Sequence, residues 1–368
     1  MSAPHPLPFG SAAILGAGLM GRLMAVTLAQ AGCKIDLYEA GSPDAEGAAA
    51  RVAAAMLAPL AESAVAPVSV VRMGQHALSR WPELLAPLAQ PVFFQREGTL
   101  VLWHRQDAAE ATRLAGVLAR TGAQVPELAP MQALDTPAAI AALEPSLGTR
   151  FARGLYLPGE GQLDNRALLA SLRATLEADA RVTLHWQSPR APSDFSPGTA
   201  GQPDWVIDCR GLGAKPQWNA LRGVRGEVIR VHAPEVTLQR PTRLVHPRYP
   251  LYIAPKPDHL FVIGATEIES DDLSPASVRS TLELLSAAYA VHSGFAEARI
   301  VEIATQCRPT LPDNLPAIRQ PQPRVLQING LYRHGFMIAP ALLDAAMELL
   351  AHGRATLARG FGMDVPDA

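Results

Sequence analysis

The chain has 368 residues, too many for one small core, and ~150 residues per domain points to two domains. It is 48% hydrophobic and 18% charged, with a formal net charge of −2, which excludes a disordered chain. With no block of Lys or Arg, free nucleic acid is disfavoured as a partner. The longest apolar runs, such as Ala339 to Ala351, fall short of the ~20 residues a bilayer requires. Met1 to Gly10 has no basic stretch leading into an apolar one, so neither a membrane span nor a signal peptide is expected. The chain reads as soluble and cytoplasmic.

Cys33, Cys209 and Cys307 are widely spaced and form no CxxC pair, which fits a reducing compartment better than a disulfide framework or a zinc site. The ten histidines show no HxxxH or HxH spacing, so no metal is expected. Lys34, Lys215 and Lys256 are the three lysines among 32 basic residues, a coding bias toward Arg.

In chain order, Ser11 to Leu15 is a short apolar strand running into Gly16-Ala17-Gly18-Leu19-Met20-Gly21. A helical pattern through Leu19, Leu23 and Val26 follows and stops at Gly32. Lys34 to Tyr38 alternates as the next strand and ends at Glu39. Gln75 to Leu147 mixes amphipathic helices with one strand, Thr99 to Trp103. Gly154 to Leu157 and Val182 to Trp186 read as strands flanking a helix from Asn165 to Glu177. Ser188 to Pro203 is a Pro/Ser/Gly-rich loop, and Trp205 to Asp208 a buried strand leading into Arg210-Gly211. Short β runs then succeed one another at Glu227 to His232, Leu251 to Ala254 and Leu260 to Gly264, which predicts an antiparallel sheet. A helix from Ser274 to Val291, a strand from Val325 to Asn329 and a helix from about Ala341 to Ala351 complete the chain.

The β-rich middle interrupts an α/β framework, so the domains are expected to be discontinuous. A Rossmann-like dinucleotide-binding domain takes 1–90, 150–222 and 305–368, and an antiparallel-sheet substrate domain takes 91–149 and 223–304. The glycine string has a mechanical reading. Gly16 allows the tight turn, Gly18 lets backbone N–H groups approach a diphosphate at the helix N-terminus, and Gly21 permits close helix–strand packing. Glu39 follows at close to the ~20-residue spacing of an acid that binds ribose hydroxyls. That fingerprint suits FAD and NAD alike, while the carboxylate at Glu39 disfavours the 2′-phosphate of NADP.

Later segments discriminate between the two. Met56-Leu57-Ala58-Pro59-Leu60-Ala61-Glu62 resembles the M-L-A-P-x-A-E segment of glycine oxidases. Arg96 to Leu100 and Gly161 to Arg166 resemble their R-x-G-T-L and D-G-x-V-D-P-R segments. Tyr252 to Lys256, Val262 to Glu267, Arg308 to Asp313 and Arg333 to Pro340 continue the match in the family's order over nearly the whole chain. The sequence is identified on these segments as a member of the D-amino-acid oxidase superfamily, glycine oxidase branch. It departs from the family at Ala50-Arg51-Val52, where Ser-Trp is usual, and at Lys256, where Arg is usual.

The resemblance implies a glutathione-reductase-type FAD-binding fold and oxidation of a small amino acid, with dioxygen as acceptor. It places Gly16, Ala17, Gly18, Met20, Gly21, Glu39, Met56, Leu57, Gly211, His334, Gly335, Phe336, Met337 and Ile338 at the cofactor. It places Tyr252, Arg308 and Arg333 at the substrate. Arg308 matches the carboxylate-binding position, where a planar guanidinium grips a carboxylate with two hydrogen bonds; its alternative is a surface arginine before proline. Tyr252 reads equally as a strand residue, and Arg333 as a flavin or structural contact. Gly335 to Pro340 is expected to begin the last helix beneath the flavin, where the helix N-terminus would favour negative charge on the ring. A general base is unnecessary if the amine binds neutral, and Asp313 after Pro312 reads as a turn residue. Cys307 precedes Arg308 where sarcosine oxidases attach flavin, but noncovalent FAD is the expectation. The competing readings are an FAD-dependent D-amino-acid or imino-acid dehydrogenase with another acceptor, an NAD-dependent dehydrogenase, and a non-catalytic flavoprotein. A homo-oligomer is compatible with all of them.

Overall fold

A computed structural model describes residues 7–246 and 251–367; of Met1 to Gly10, residues 1–6 lie outside it. Two sheets organise the molecule. The first has six strands ordered Ala317–Gln322, Val325–Asn329, Trp205–Asp208, Ser11–Leu15, Lys34–Tyr38 and Val182–His185. All neighbours run parallel except the first pair. Central strands covered on both faces read as continuous apolar runs; Ile14, Leu15, Val206 and Ile207 are all fully buried.

Helix Leu19–Gln30 packs on this sheet through a glycine in its first turn. A Cβ on Gly21 would fall 1.8 Å from the Gly16 carbonyl oxygen, so no larger residue fits. Helix Gly335–His352 covers the same core. Tyr332–His352 is long and apolar enough to cross a bilayer, longer than the run from Ala339 suggested. Leu342, Leu343 and Ala346 are fully buried within the protein core. Helix Val68–Leu85 crosses it, joined by Trp81 Nε1 donating to the Phe336 carbonyl at 3.0 Å and by Arg80 and His76 to Asp344.

The second sheet has nine strands and is mostly antiparallel. Its spine is the pairing of Arg222–His232 with Arg299–Thr310 on one side and Leu260–Gly264 on the other. Leu251–Lys256, Thr242–Leu244, Thr99–Leu102, Gly154–Leu157 and Gln132–Leu134 continue it. Two sequence boundaries move here. Gly154–Leu157 and the end of Arg299–Thr310 hydrogen-bond into this sheet, not into the dinucleotide-binding layer where 150–222 and 305–368 had placed them. Strand Arg222–His232 begins before the expected Glu227, and Arg299–Thr310 was not foreseen. The helix expected from Ser274 begins at Val278, because the Ser277 side chain accepts from the Ser280 N–H and caps it.

The segment Gly161 to Arg166 welds the two layers. Asp164 caps helix Asn165–Glu177 by accepting from the Arg166 and Ala167 N–H groups. Asn165, fully buried, donates to the Ala50 and Arg51 carbonyls and accepts from Arg230 of the large sheet.

Candidate active site

A cavity of about 1120 Å³ runs from the glycine loop, between the layers, to the face of the nine-stranded sheet. At one end lie Gly16, Gly18, Met20 and Glu39, followed by Met56 and Gly211. Gly16 has φ +90, and a Cβ there would strike the Arg210 backbone at 2.8 Å. Gly18 faces open space apart from Ala48, so its backbone is approachable. The Glu39 carboxylate ends its strand by accepting from Ala17 N at 2.6 Å and Gly41 N at 2.9 Å, at the cavity wall. These features fit the diphosphate and ribose of a flavin dinucleotide. Ala17, Gly21, Leu57 and Ile338 do not line the cavity. Gly21 acts by packing, Ala17 through its N–H to Glu39, and Leu57 and Ile338 are core residues.

At the far end the register of the large sheet decides which side chains meet. Paired residues share a face, so the pairs Val228–Gly264, Gly264–Tyr252, Tyr252–Arg243 and Arg243–Val101 form one row across four ladders. Val224 pairs with Arg308 and alternates with Val228, which puts Arg308 on that same face. Glycines make room for the larger members: a Cβ on Gly264 would lie 2.6 Å from the Tyr252 hydroxyl. Tyr252, Arg243, Arg308 and Arg333 all border the cavity.

The Arg308 guanidinium donates to two backbone carbonyls, Thr266 at 3.1 Å and Arg225 at 3.4 Å, and has no carboxylate partner among the described residues. Burial pushes its pKa down, with the Tyr252 hydroxyl opposing. The Tyr252 phenol is pushed up by burial, against the pull of Arg308 and Arg333. Arg333 differs: it stands 3.1 Å from Glu62 and 2.7 Å from Glu267. Glu62 also accepts from Arg243 at 2.6 Å and lies 3.3 Å from His334 Nδ1. Burial alone would raise the Glu62 carboxyl, but Arg333, Arg243 and His334 hold it well below the usual carboxylate range. Arg243 and Arg333 are therefore balanced by Glu62 and Glu267, and Arg308 is the surplus charge.

Glu62, Glu267 and Arg243 were not singled out in the sequence. The available signal was an acid closing the apolar Met56 to Glu62 segment. Gly335, Phe336 and Met337 line the cavity where helix Gly335–His352 begins, and a Cβ on Gly335 would meet nothing within 4 Å. The open backbone there can face a cofactor ring, and His334 borders the same wall. Lys256 lies buried and donates to the Ala54 and Leu163 carbonyls and Gln162 Oε1. It holds the segment beside the cavity in place. Cys307 and Arg225 point to the opposite face from Arg308, and the Cys307 thiol donates to the Ser270 and Asp272 carbonyls.

The geometry joins a dinucleotide cradle to a pocket walled by Arg308, Tyr252 and Arg333, the architecture of a flavin-dependent oxidoreductase. Residues 11–348 match the family model described as FAD dependent oxidoreductase, and the chain belongs to that family. Within it, the chain is an FAD-dependent oxidoreductase of the glycine oxidase and ThiO type. It is 41% identical over 340 residues to a putative thiamine biosynthesis oxidoreductase ThiO of Rhizobium etli, covering 91% of this chain and 95% of that one. It is 27% identical to a glycine oxidase of Pseudomonas aeruginosa, covering 92% and 94% of the two chains. The crystal structure of glycine oxidase from Geobacillus kaustophilus superposes with a TM-score of 0.76 at 22% identity, covering 92% and 94%. When bound, FAD supplies a two-electron acceptor, and the protein's task is to bind, orient and exclude water.

Proposed function

We propose that the protein oxidises the Cα–N bond of glycine or a similarly small amino acid, with dioxygen as the final acceptor. The observation that carries this reading is Arg308, a half-buried guanidinium at the cavity wall with no carboxylate partner among the described residues, on the same sheet face as Tyr252. Arg308 grips the substrate carboxylate with paired hydrogen bonds, and the Tyr252 hydroxyl adds one more. A monocarboxylate with a neutral amine brings the single negative charge that Arg308 needs. Bound FAD would supply the acceptor for a hydride from Cα, and with a proton lost from the nitrogen a C=N bond would remain. Water then adds to the imine to give the oxo acid and ammonia, and dioxygen takes the two electrons and two protons as hydrogen peroxide. No protein general base is assigned.

The similarity to a glycine oxidase of Pseudomonas aeruginosa supports this substrate class. The ThiO relative supports a role in which the imine serves thiamin assembly. The three cysteines are free and buried, in keeping with a cytoplasmic protein.

The test is an anaerobic titration of the yellow protein with glycine, sarcosine, D-alanine and D-proline, followed by admission of air. Bleaching by glycine, and recovery with stoichiometric peroxide, is the expected result. Bleaching that air does not reverse, but a quinone does, would make it a dehydrogenase.

A further inference from the structure

Arg22 directly follows the last glycine of the fingerprint and is 1% exposed. Its guanidinium is spent on backbone: Nε donates to Ala17 at 2.7 Å, Nη1 to Leu169 at 2.7 Å and Nη2 to Pro43 at 2.6 Å. The Trp186 ring lies 5.7 Å from its centre. Among the described residues no carboxylate pairs with it. The acids near enough to be felt, Glu39, Asp44 and Glu177, are engaged elsewhere. Glu39 accepts from Ala17 and Gly41, and Asp44 and Glu177 both pair with Arg173, a like charge that opposes Arg22. Burial accordingly pushes the Arg22 pKa down to about 10.

A buried cation without an anion is costly, so its location is informative. Two of its three acceptors belong to the loops that frame the cofactor end of the cavity. Ala17 lies between the first two glycines, and Pro43 lies between Ser42 and Ala45, which both border the cavity. The third, Leu169, belongs to the helix behind them. One side chain thus sets the spacing of the glycine loop and the loop after Glu39, and leaves a positive charge behind both.

We propose that Arg22 is a built-in clamp and counter-charge for the cofactor's diphosphate. It fixes the two loops before the cofactor arrives, and its charge is balanced when the diphosphate reaches the N-terminus of helix Leu19–Gln30. It acts through the loops rather than by touching the ligand, which makes it a positioning residue. The inference rests on membership of the FAD family and is independent of the substrate proposed above.

The experiment uses the full-length chain reversibly stripped of flavin, as wild type, Arg22→Lys and Arg22→Met. FAD, ADP and riboflavin are titrated by calorimetry at low and high NaCl. In Arg22→Met, FAD and ADP are expected to bind about 10- to 100-fold more weakly, with a flatter salt dependence. Riboflavin, which has no diphosphate, is expected to change less than about threefold. Arg22→Lys, keeping the charge with fewer donors, recovers part of the loss. Unchanged FAD and ADP affinities at both salt concentrations would overturn the proposal. So would an equal loss for riboflavin, which would mark a general packing brace. If Arg22→Met does not fold, Arg22→Lys decides alone: a greater loss for ADP than for riboflavin supports the clamp, and any other pattern removes it.

Discussion

Gly226 and Arg308 are diagonal neighbours across the ladder between Arg222–His232 and Arg299–Thr310, where Gly226 pairs with Gln306 and Arg308 with Val224, and a Cβ on Gly226 would lie 2.4 Å from an Arg308 guanidinium nitrogen. The missing side chain is therefore part of the anion site. Gly226→Ala pushes on the far end of a flexible side chain, so the fold should survive while the guanidinium is displaced. The expected outcome is a KM increase of about tenfold, ~1.4 kcal/mol, with flavin content unchanged. A wild-type KM for the first substrate that bleaches the flavin would show that Arg308 does not need its present position.

Glu39 is held by two backbone N–H groups where the ribose of the cofactor is expected. Glu39→Arg replaces an acceptor with a bulky cation and should yield a folded, colourless protein at low added FAD. Full flavin occupancy under those conditions would reject the ribose assignment.

How far these sites were legible in the sequence differs from residue to residue. The glycine loop and Glu39 could be read because their partners lie within one βαβ unit and the spacing is local. The ion cluster around Glu62 could not, because Glu62, Arg243, Glu267 and Arg333 come from four distant segments. Only the register of the nine-stranded sheet and the start of the last helix bring them together. Strand Arg299–Thr310 escaped notice for a different reason. It lies on the sheet edge, exposed at Ile300, Val301 and Ile303, so the usual alternation of buried and exposed positions is lost. Pro309 would argue against a central strand, but an edge tolerates it. Arg22 was invisible as a functional residue because a single Arg in a helix pattern carries no signal until its burial is known.

Glu160 provides a pH test separate from catalysis. Its Oε1 accepts from Ala61 N at 2.7 Å, while burial raises the carboxyl from 4.5 to about 7. A group whose folded pKa is raised contributes stability that is fully present below its unfolded pKa and lost as pH rises through the folded value. The wild type should therefore lose this contribution between about pH 4.5 and 7, and Glu160→Gln should not. Thermal midpoints of the two proteins should lie close together near pH 4.5 and separate as pH rises, the wild type falling below the variant. Parallel curves would show that Glu160 titrates normally.

The Cys307 thiol is turned to the Ser270 and Asp272 carbonyls, away from the face that carries Arg308. Acid precipitation should release all the flavin to the supernatant. Colour retained in the washed pellet, and lost in Cys307→Ala, would establish a covalent link instead.

Arg308 and Arg333 should fail in different ways. Among the described residues Arg308 has only backbone carbonyls as hydrogen-bond partners, so Arg308→Ala removes no ion pair and should leave flavin content near normal. What it removes is the charge that binds the substrate carboxylate, where charge-assisted hydrogen bonds contribute ~1.5–3 kcal/mol each. The expected loss in kcat/KM exceeds about 100-fold. Arg308→Lys restores the charge without the two-pronged geometry and should recover only part of it. Arg333 is paired with Glu62 and Glu267, so Arg333→Ala takes one cation from the buried Glu62, which keeps Arg243 and His334, and one from the exposed Glu267, and removing a partner of a buried carboxylate is destabilising. Its main effect should be a lowered thermal midpoint, with a smaller loss of kcat/KM in the flavin-loaded fraction. The order expected in kcat/KM is Arg308→Ala worst, Arg308→Lys intermediate and Arg333→Ala mildest, while in stability Arg333→Ala is worst. Measuring both quantities on all three variants tests the assignment. Near wild-type kcat/KM in flavin-loaded Arg308→Ala would take Arg308 out of the site and reopen the choice of substrate class.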